Sequence, residues 1–284
     1  MRIAFQGEMG AFGEAAAERV NREARRVACP TFDSVFEAVG RGPATHGVLP
    51  IENSIAGTIH QTYDLLLEHD LSIVGEVEVP VVHHLLAPPG VSLDRVRRIY
   101  SHPQALAQCE RFLKTLSDVE IVASANTAGA AKRVAEEARP DAAAIASARA
   151  GDLFGLVSLA PAIQDFRDNV TRFIVIGRRP LGDSMADKTT VVFSLRNEPG
   201  ALFKALGVFA LRNVNLTKLE SRPFRGRPWE YLFYADLAAS RDELPCARAL
   251  QHLAEMAPTL RVLGSYCAWH EHEMKALDPF DVCT

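Results

Sequence analysis

The stretch Gln164-Asp165-Phe166-Arg167-Asp168-Asn169-Val170-Thr171-Arg172-Phe173-Ile174-Val175-Ile176 joins a polar cluster directly to an apolar, β-branched segment. The apolar segment predicts a strand, so Thr171 would stand where a buried strand opens onto a surface. Alternate residues of a strand share a face, which places Thr171 and Phe173 on one side and Arg172 on the other. Taken alone, this run favours a sheet-edge threonine beside an ion-paired arginine over a catalytic site.

The composition is that of a globular protein. The 284 residues are 48% hydrophobic and 23% charged, with a formal net charge of -4, which argues against nucleic acid as a partner. The cysteines are scattered and never in CxxC spacing, which favours free thiols in a reducing compartment. Since no membrane span or signal-peptide core is apparent, we expect a cytoplasmic protein without a membrane partner. The cysteines are Cys29, Cys109, Cys246, Cys267 and Cys283.

The sequence pattern changes near residue 177. Before it, short apolar strands alternate with helical patterns, which predicts an α/β domain over 1–177 with a parallel sheet. The extended segment Glu76–Pro88 would cross between two lobes and leave a cleft between them. A polar linker is expected at 178–187. After it, 188–270 shows the order βαββαβ of a ferredoxin-like domain, followed by a tail at 271–284.

The predicted elements can be stated residue by residue. In the first region the strands are 2–5, 47–51, 71–77, 98–101, 120–123, 142–145 and 171–176, and the helices are 14–25, 57–68, 103–116 and 127–138. In the second region the strands are 189–195, 214–221, 230–237 and 260–268, and the helices are 200–212 and 244–256. Because a ferredoxin-like domain leaves a sheet face and two edges uncovered, we expect association with a second copy of the chain.

Polar residues follow several of the predicted strands. A helix cap explains one such residue at a time, but not Glu52, Asn53, Ser54 and Gly57 together. Since the carboxyl ends of parallel strands meet at one edge of a sheet, these turns predict a polar cleft for a small, oxygen-rich ligand. The turns placed at this cleft are Glu52-Asn53-Ser54, Ser101-His102-Pro103-Gln104 with Gln108 one helical turn later, and Asn126-Thr127, together with Thr171.

The sequence gives no sign of a cofactor or metal. Gly7, Gly10 and Gly13 have GxxGxxG rather than GxGxxG spacing, with no acidic residue suitably placed downstream, which excludes a Rossmann dinucleotide site. This turn either offers backbone N–H groups to an anion or merely closes tightly. His83-His84 and His270-Glu271-His272 lack further ligands at useful spacing, so we expect no metal.

Turns in the second region suggest another binding site. Asn197–Phe203 opens a helix with Pro and Gly, leaving free N–H groups that can meet a carboxylate. Asn213–Thr217 and Glu220–Pro223 bracket the following strand. Ordinary turn chemistry explains most of these residues, but it leaves Glu-Ser-Arg-Pro unexplained.

Five motifs, taken in order, resemble those of the prephenate dehydratase family with a C-terminal ACT regulatory domain. The resemblance runs from Phe5 to about Ala268, and it implies a two-lobed catalytic region like type II periplasmic binding proteins. One departure is Gly13-Glu14, where many members carry Ser or Tyr followed by His or Glu. The motifs are Thr171-Arg172-Phe173, Pro50-Ile51-Glu52-Asn53-Ser54, Ser101-His102-Pro103-Gln104, Gly200-Ala201-Leu202 and Glu220-Ser221-Arg222-Pro223.

The resemblance also implies an activity and a set of site residues. The activity is the decarboxylating dehydration of prephenate to phenylpyruvate without cofactor, inhibited by L-phenylalanine in a homodimer or homotetramer formed through the ACT domain. By the family's pattern Thr171 is catalytic, and Glu52, Asn53, Ser101 and Gln108 place the substrate, with Glu52 and Asn53 counted in the catalytic set. From their positions in the sequence we add Phe173, Asn126, Thr127 and Gly7 as substrate-binding residues. The implied effector contacts are Gly200, Ala201, Leu202, Asn215, Glu220 and Ser221. Arg172 faces away from Thr171 on the strand, so we expect it to be structural, in an ion pair, and we also class Arg222 and Pro223 as structural.

Two alternatives remain open on the sequence. Arogenate dehydratase performs the same chemistry on a substrate that carries an amino group in place of the side-chain keto group, and dual activity is possible. A non-catalytic sensor would instead join a two-lobed binding module to an amino-acid-sensing domain, and it would bind its ligand without turnover.

Overall fold

The computed structural model describes residues 1–178, 186–224 and 229–269. The chain forms two compact units, one of residues 1–65 and 78–173 and the other of residues 66–77 and 174–284. Most of the predicted linker and the predicted tail, with His270-Glu271-His272, lie outside the described residues. In the described part, no helix is both long enough and apolar enough to cross a membrane. The predicted domain boundaries stay predictions.

The chain up to residue 177 forms two sheets. The larger is formed by β1 (Arg2–Gln6), β2 (Arg25–Cys29), β3 (His46–Asn53), β4 (Gly57–Thr58), β5 (Ser72–Pro80) and β11 (Val170–Gly177), and the smaller by β6 (His84–Ala87), β7 (Arg98–Ser101), β8 (Glu120–Ala123), β9 (Ala142–Ala146) and β10 (Val157–Ala160). Their strand orders are β2-β1-β3-β11-β5, with β4 on β3, and β10-β6-β9-β7-β8.

Strand direction departs from the prediction of a parallel sheet. β1 runs parallel to β2 and β3, and β7 runs parallel to β8 and β9. However, β6 runs antiparallel to both β9 and β10. The prediction is wrong for the smaller sheet because the extended segment after β5 enters it as β6 directly, without the helical crossover that a parallel neighbour requires.

The helices of this region begin where the local sequence supplies caps. Thr31 and Ser34 form a capping box at the start of the second helix, which stops at Gly42 with φ 92°. The predicted helix 14–25 is too long, because residues 25–29 pair with β1 instead of continuing the helical pattern. The helices are α1 (Phe12–Val20), α2 (Phe32–Arg41), α3 (His60–Glu68), α4 (Pro103–Gln108), α5 (Glu110–Leu113), α6 (Thr127–Glu137) and α7 (Ala148–Phe154).

The second unit contains the predicted βαββαβ order. Its strands form an antiparallel sheet in the order β13-β14-β12-β15. Phe193 and Phe209 are fully buried between this sheet and its helices, and each contributes roughly 1.5–3 kcal/mol of hydrophobic stabilisation. The elements are β12 (Lys188–Ser194), α8 (Ala201–Ala210), β13 (Leu216–Pro223), β14 (Tyr231–Leu237), α9 (Leu244–Met256) and β15 (Thr259–Tyr266).

A buried ionic cluster attaches segment 66–77 to this sheet. Lys188 Nζ lies 2.8 Å from Glu76 Oε2 and 3.7 Å from Asp236 Oδ2. Thr190 donates a hydrogen bond of 2.8 Å to Asp236 Oδ1. The same segment approaches so closely that a Cβ on Gly264 would lie 2.1 Å from the Ile73 carbonyl oxygen. Residue 264 must therefore be glycine for the two backbones to meet.

The cysteines differ in part from the prediction of free thiols. Cys29, Cys109 and Cys246 are free and buried, and burial raises the pKa of Cys109 to about 12, so this thiol is inert near neutral pH. Cys267 is disulfide-bonded, and the prediction is wrong for it because scattered spacing says nothing about which residues the fold brings together. Cys283 lies outside the described residues.

The ionic cluster predicts a large cost for losing its cation. Lys188→Met keeps the side-chain length but removes the ammonium group from two buried carboxylates, so we expect the free energy of unfolding to fall by about 3–5 kcal/mol. Lys114→Met is the matched control, because Lys114 pairs with Glu110 on an exposed surface and should change stability little. Chemical denaturation measures both variants, and equal losses would refute a structural role for the cluster.

Candidate active site

A cavity of about 450 Å³ opens in the first unit, a size typical of small-molecule sites. Apolar walls come from residues such as Phe12, Phe32, Val48, Val81 and Phe173. Among the residues that the structure describes, those lining this cavity include no Asp, Glu, Lys or Arg. The polar lining side chains are Gln6, Thr31, Asn53, Gln61, His83, His102, Gln104, Gln108, Asn126, Thr127 and Thr171.

Asn53 organises the polar wall of this cavity. Its Oδ1 accepts hydrogen bonds from the backbone N–H groups of Ile55 (3.1 Å) and Ala56 (2.8 Å). These two donors fix the orientation of the amide, so Nδ2 must face β11. There Nδ2 lies 2.7 Å from Asn169 Oδ1 and 3.0 Å from Thr171 Oγ1. Asn53 is buried, as is Thr171, and this contact therefore sets where the threonine oxygen stands.

Thr171 is left with a donor to offer. Its oxygen accepts the Asn53 bond through a lone pair, and a hydroxyl carries one further O–H donor. Phe173, two residues along β11, lines the cavity on the same side, as strand alternation predicts. Arg172 points elsewhere and makes an ion pair of 2.8 Å with Glu52.

Five helices begin at the cavity wall, namely α1, α2, α3, α4 and α6. Their first-turn residues that line it include Gly13, Phe32, Gln61, Gln104 and Thr127. The start of α1 has no side-chain cap, whereas Thr31 caps α2 and Asn126 caps α6 with a 2.6 Å bond from Gly129 N–H. Helix starts carry partial positive charge, so the cavity favours an anion without using a charged side chain.

The two histidines that line the cavity are neutral near pH 7. Burial lowers the pKa of His102, and its Nδ1 accepts a hydrogen bond from Gln104 N–H at the start of α4. Burial also lowers the pKa of His83, whose Nε2 lies 2.9 Å from Gln108 Oε1. The site therefore contains hydrogen-bonding imidazoles rather than imidazolium cations.

Some residues predicted for the site do not face the cavity. Ser101 is fully buried, and its Oγ donates to the Ile145 carbonyl at 2.6 Å, so its hydroxyl is used within the smaller sheet. Glu52 is not among the lining residues, because Arg172 holds its carboxylate. Gly7 does line the cavity, but its N–H is donated to Cys29 across the β1–β2 ladder, so it cannot receive an anion.

The predicted effector residues lie in the second unit. Gly200, with φ 79°, precedes α8 and supplies no side-chain cap. The Ala201 N–H donates to the Glu198 carbonyl at 3.2 Å, so the open N–H groups of this helix start begin at Leu202. Asn215 stands just before β13, and Ser221 lies on β13, where both side chains are exposed. β13 pairs with β14 on one side and forms an edge of the four-stranded sheet. Glu220, Arg222 and Pro223 also belong to this edge strand.

Sequence reasoning missed lining residues, among them Thr31 and His83, and one residue behind the lining, Asn169. Thr31 follows β2, a strand that the helical pattern of 14–25 concealed, and His83 was considered only as a metal ligand. Asn169 was visible only as a member of the quoted run, yet its Oδ1 accepts from Asn53 and its carbonyl accepts from Val81 N–H. The clue available for Asn169 was its place two residues before Thr171 in a polar run that enters a strand.

Comparison with known proteins gives a consistent picture over most of the chain. Residues 3–181 match the family model described as prephenate dehydratase, and residues 189–250 match the ACT domain. Among curated relatives, the chain is 51% identical over 277 residues to arogenate dehydratase/prephenate dehydratase 2, chloroplastic, of Arabidopsis thaliana, covering 94% of this chain and 72% of the relative. It is 50% identical over 282 residues to arogenate dehydratase 2 of Petunia hybrida, covering 94% and 71%.

Solved structures show the same fold. A prephenate dehydratase from Arthrobacter aurescens in complex with L-Phe is 37% identical with a TM-score of 0.86, covering 94% of this chain and 90% of that one. GqqA, described as a novel type of quorum quenching acylase, is 38% identical with a TM-score of 0.87, covering 95% and 98%. The predicted two-part architecture, a catalytic region similar to type II periplasmic binding proteins followed by an ACT domain, is confirmed.

Proposed function

The chain belongs to the prephenate dehydratase family, and from this premise we propose that it converts prephenate to phenylpyruvate, carbon dioxide and water under inhibition by L-phenylalanine. It is a lyase with a C-terminal ACT domain. The observation that carries the proposal is the Thr171 hydroxyl, held at 3.0 Å by Asn53 in a cavity whose described lining has no charged side chain.

The chemistry of prephenate fits this cavity. The ring loses its carboxylate as carbon dioxide, the electrons of that bond enter the ring, and the hydroxyl leaves and becomes water on taking up a proton. The product ring is aromatic, so the reaction is strongly favourable. The enzyme needs only to hold the ring carboxylate where the electrons of its breaking bond overlap with the ring, and to assist departure of the hydroxyl. Thr171 O–H would donate to the departing oxygen, and Asn53 would hold Thr171 in place.

The substrate charge also suits the lining. Prephenate is a dicarboxylate, and the starts of α1, α2 and α6 favour anions at the cavity wall. Apolar residues such as Phe173 leave a carboxylate poorly solvated, and a poorly solvated carboxylate loses carbon dioxide more readily. Glu52 is bound to Arg172, so it has no place as proton donor in this proposal and instead positions the end of β3.

Arogenate is the second candidate substrate, because relatives at 51% and 50% identity carry that name. It differs in bearing an ammonium group where prephenate has a keto group. The described lining contains no carboxylate to pair with an ammonium group, which favours prephenate.

The purified chain should be incubated with prephenate and, separately, with arogenate. Faster turnover of prephenate to phenylpyruvate supports the proposal, and faster turnover of arogenate to phenylalanine would assign the second candidate. Binding without turnover of either substrate would favour the amino-acid sensor. The cytoplasmic location stays a prediction that this assay does not test, and several relatives are named chloroplastic.

Thr171 provides the sharpest test of the mechanism. Thr171→Val keeps the shape of a buried β-branched side chain but removes the hydroxyl, so kcat should fall by ~10²–10⁴-fold. Thr171→Ser is the matched control, because it keeps the hydroxyl and should retain much of the rate. Steady-state kinetics, with circular dichroism to check folding, measures both. A near-normal kcat for Thr171→Val would exclude this role.

Phenylalanine inhibition should depend on the residues around the start of α8 and strand β13. The effector carboxylate would bind the open N–H groups after Gly200, and Asn215 and Ser221 would contact the amino acid. Large apolar side chains exposed in this unit, including Phe203 (82%) and Leu211 (83%), support its association with a second copy.

Loss of an effector contact should separate inhibition from catalysis. For Asn215→Ala and Ser221→Ala we expect the phenylalanine concentration for half-inhibition to rise by roughly 5-fold or more, with kcat unchanged. Gln251→Ala, at an exposed position of α9, is the control and should keep normal inhibition. Inhibition curves decide the matter, and a parallel loss of kcat would indicate a merely structural role for these residues.

A further inference from the structure

His83 is a buried cavity residue that is hydrogen-bonded to a second cavity residue, Gln108. It lies in the extended segment between β5 and β6, is 2% exposed, and lines the cavity together with Gln108. Its Nε2 lies 2.9 Å from Gln108 Oε1. This contact joins the crossover between the two sheets to the last residue of α4.

The position of His83 is fixed on several sides. Its backbone N–H donates to Gln164 Oε1 at 3.1 Å, and its carbonyl accepts from Ile163 N–H at 2.9 Å. The ring of Phe12 meets the imidazole edge to face, with centroids 5.7 Å apart. The imidazole therefore cannot turn away from Gln108 without breaking this packing.

The protonation of His83 follows from its surroundings. Nδ1 is buried and has no hydrogen-bond partner among the described residues. A proton on Nδ1 would be a buried donor without an acceptor, which is costly, so the proton of the neutral ring belongs on Nε2. Nε2–H then donates to Gln108 Oε1, in agreement with the observed pairing of these two atoms.

Gln108 is held at its backbone as well. Its carbonyl accepts from Asp165 N–H at 2.7 Å, and the Asp165 carboxylate accepts from Arg111 N–H at 3.1 Å. Because Oε1 faces His83, the amide NH₂ group is the end of the Gln108 side chain that is left to meet a ligand. An unrestrained glutamine could equally present its carbonyl oxygen, which would repel a carboxylate.

We propose that His83 is a positioning residue that fixes the Gln108 amide, so that its NH₂ group rather than its carbonyl meets an anionic group of the substrate. This inference rests on the proposed function, since it gives Gln108 a carboxylate to bind. Gln164 and Asp165 stand in the run that leads to Thr171, so one network orients both the binding amide and the strand that carries the hydroxyl.

Two substitutions at residue 83 separate the donor from the bulk of the ring. His83→Gln places an amide N–H close to the position of Nε2, whereas His83→Leu fills similar space without a donor. We expect His83→Leu to raise KM roughly tenfold with kcat within about threefold, and His83→Gln to stay near the original KM. Equal KM values for the two variants, whether normal or raised, would overturn the inference.

A double-mutant cycle shows whether His83 acts through Gln108. Gln108→Leu removes the amide, so adding His83→Leu to it should raise KM no further. If the KM changes of the two single variants add in the double variant, His83 affects substrate binding independently of Gln108, and the inference is wrong.

A spectroscopic measurement tests the inference without measuring activity. In the full chain, ¹⁵N–¹H correlation of the imidazole, assigned by its loss in His83→Gln, should report the Nε2–H tautomer, and the signal should shift in Gln108→Leu. An Nδ1–H tautomer would refute the inference even in an active enzyme. If neither prephenate nor arogenate is turned over, the proposed function fails, while the tautomer still decides whether His83 orients Gln108.

Discussion

The amide of Asn53 is the constraint on which the candidate site depends. Two backbone N–H groups hold its oxygen, and its nitrogen faces Asn169 and Thr171 on the neighbouring strand β11. Such an amide has one orientation, because exchanging O and N would set donors against donors on one side and acceptors against acceptors on the other. The place of the Thr171 oxygen is therefore fixed before any ligand arrives, as preorganised catalysis requires.

The charged side chain of Glu14 forms its ion pairs outside the cavity lining. Burial would raise the pKa of Glu14, but hydrogen bonds from Arg149 and the Gly10 N–H, with the nearby charges of Arg149 and Arg26, lower it overall. Glu14 is thus an ionised residue that holds the glycine turn, and Gly10 there has φ 88° with its Cβ position 3.1 Å from Ala150 Cα. Arginines thus pair with the carboxylates of Glu14 and Glu52, and the described cavity lining carries neutral donors.

The sequence predicts the second unit better than the first. The βαββαβ order follows local rules, since β13 alternates strictly between partly buried and exposed residues and α9 spans the predicted 244–256. The missed β2 was concealed because the periodicity of α1 continues through Arg25, and pairing with β1 overrides it. Ser101 and Glu52 stand at the right strand ends but bind Ile145 and Arg172, and those partners are distant in sequence. Motif position thus locates a turn, whereas the direction of each side chain depends on contacts that only the fold supplies.

The neutrality of the site follows from these same contacts. For the proposed substrate, a cationic side chain at the cavity would bind the dicarboxylate strongly, but it would also hold the carboxylate that must leave as carbon dioxide. Binding that is stronger in the ground state than in the transition state does not increase the rate. Helix starts and amides attract the anion more weakly, and they do not move as the charge disappears. Arg172 is ion-paired with Glu52 and Arg149 with Glu14, so these two cations are engaged by carboxylates of the protein and do not line the cavity. In the proposed reaction, the reacting groups would meet Thr171, Gln108 and apolar side chains, an arrangement that suits loss of carbon dioxide and water better than tight binding of the substrate.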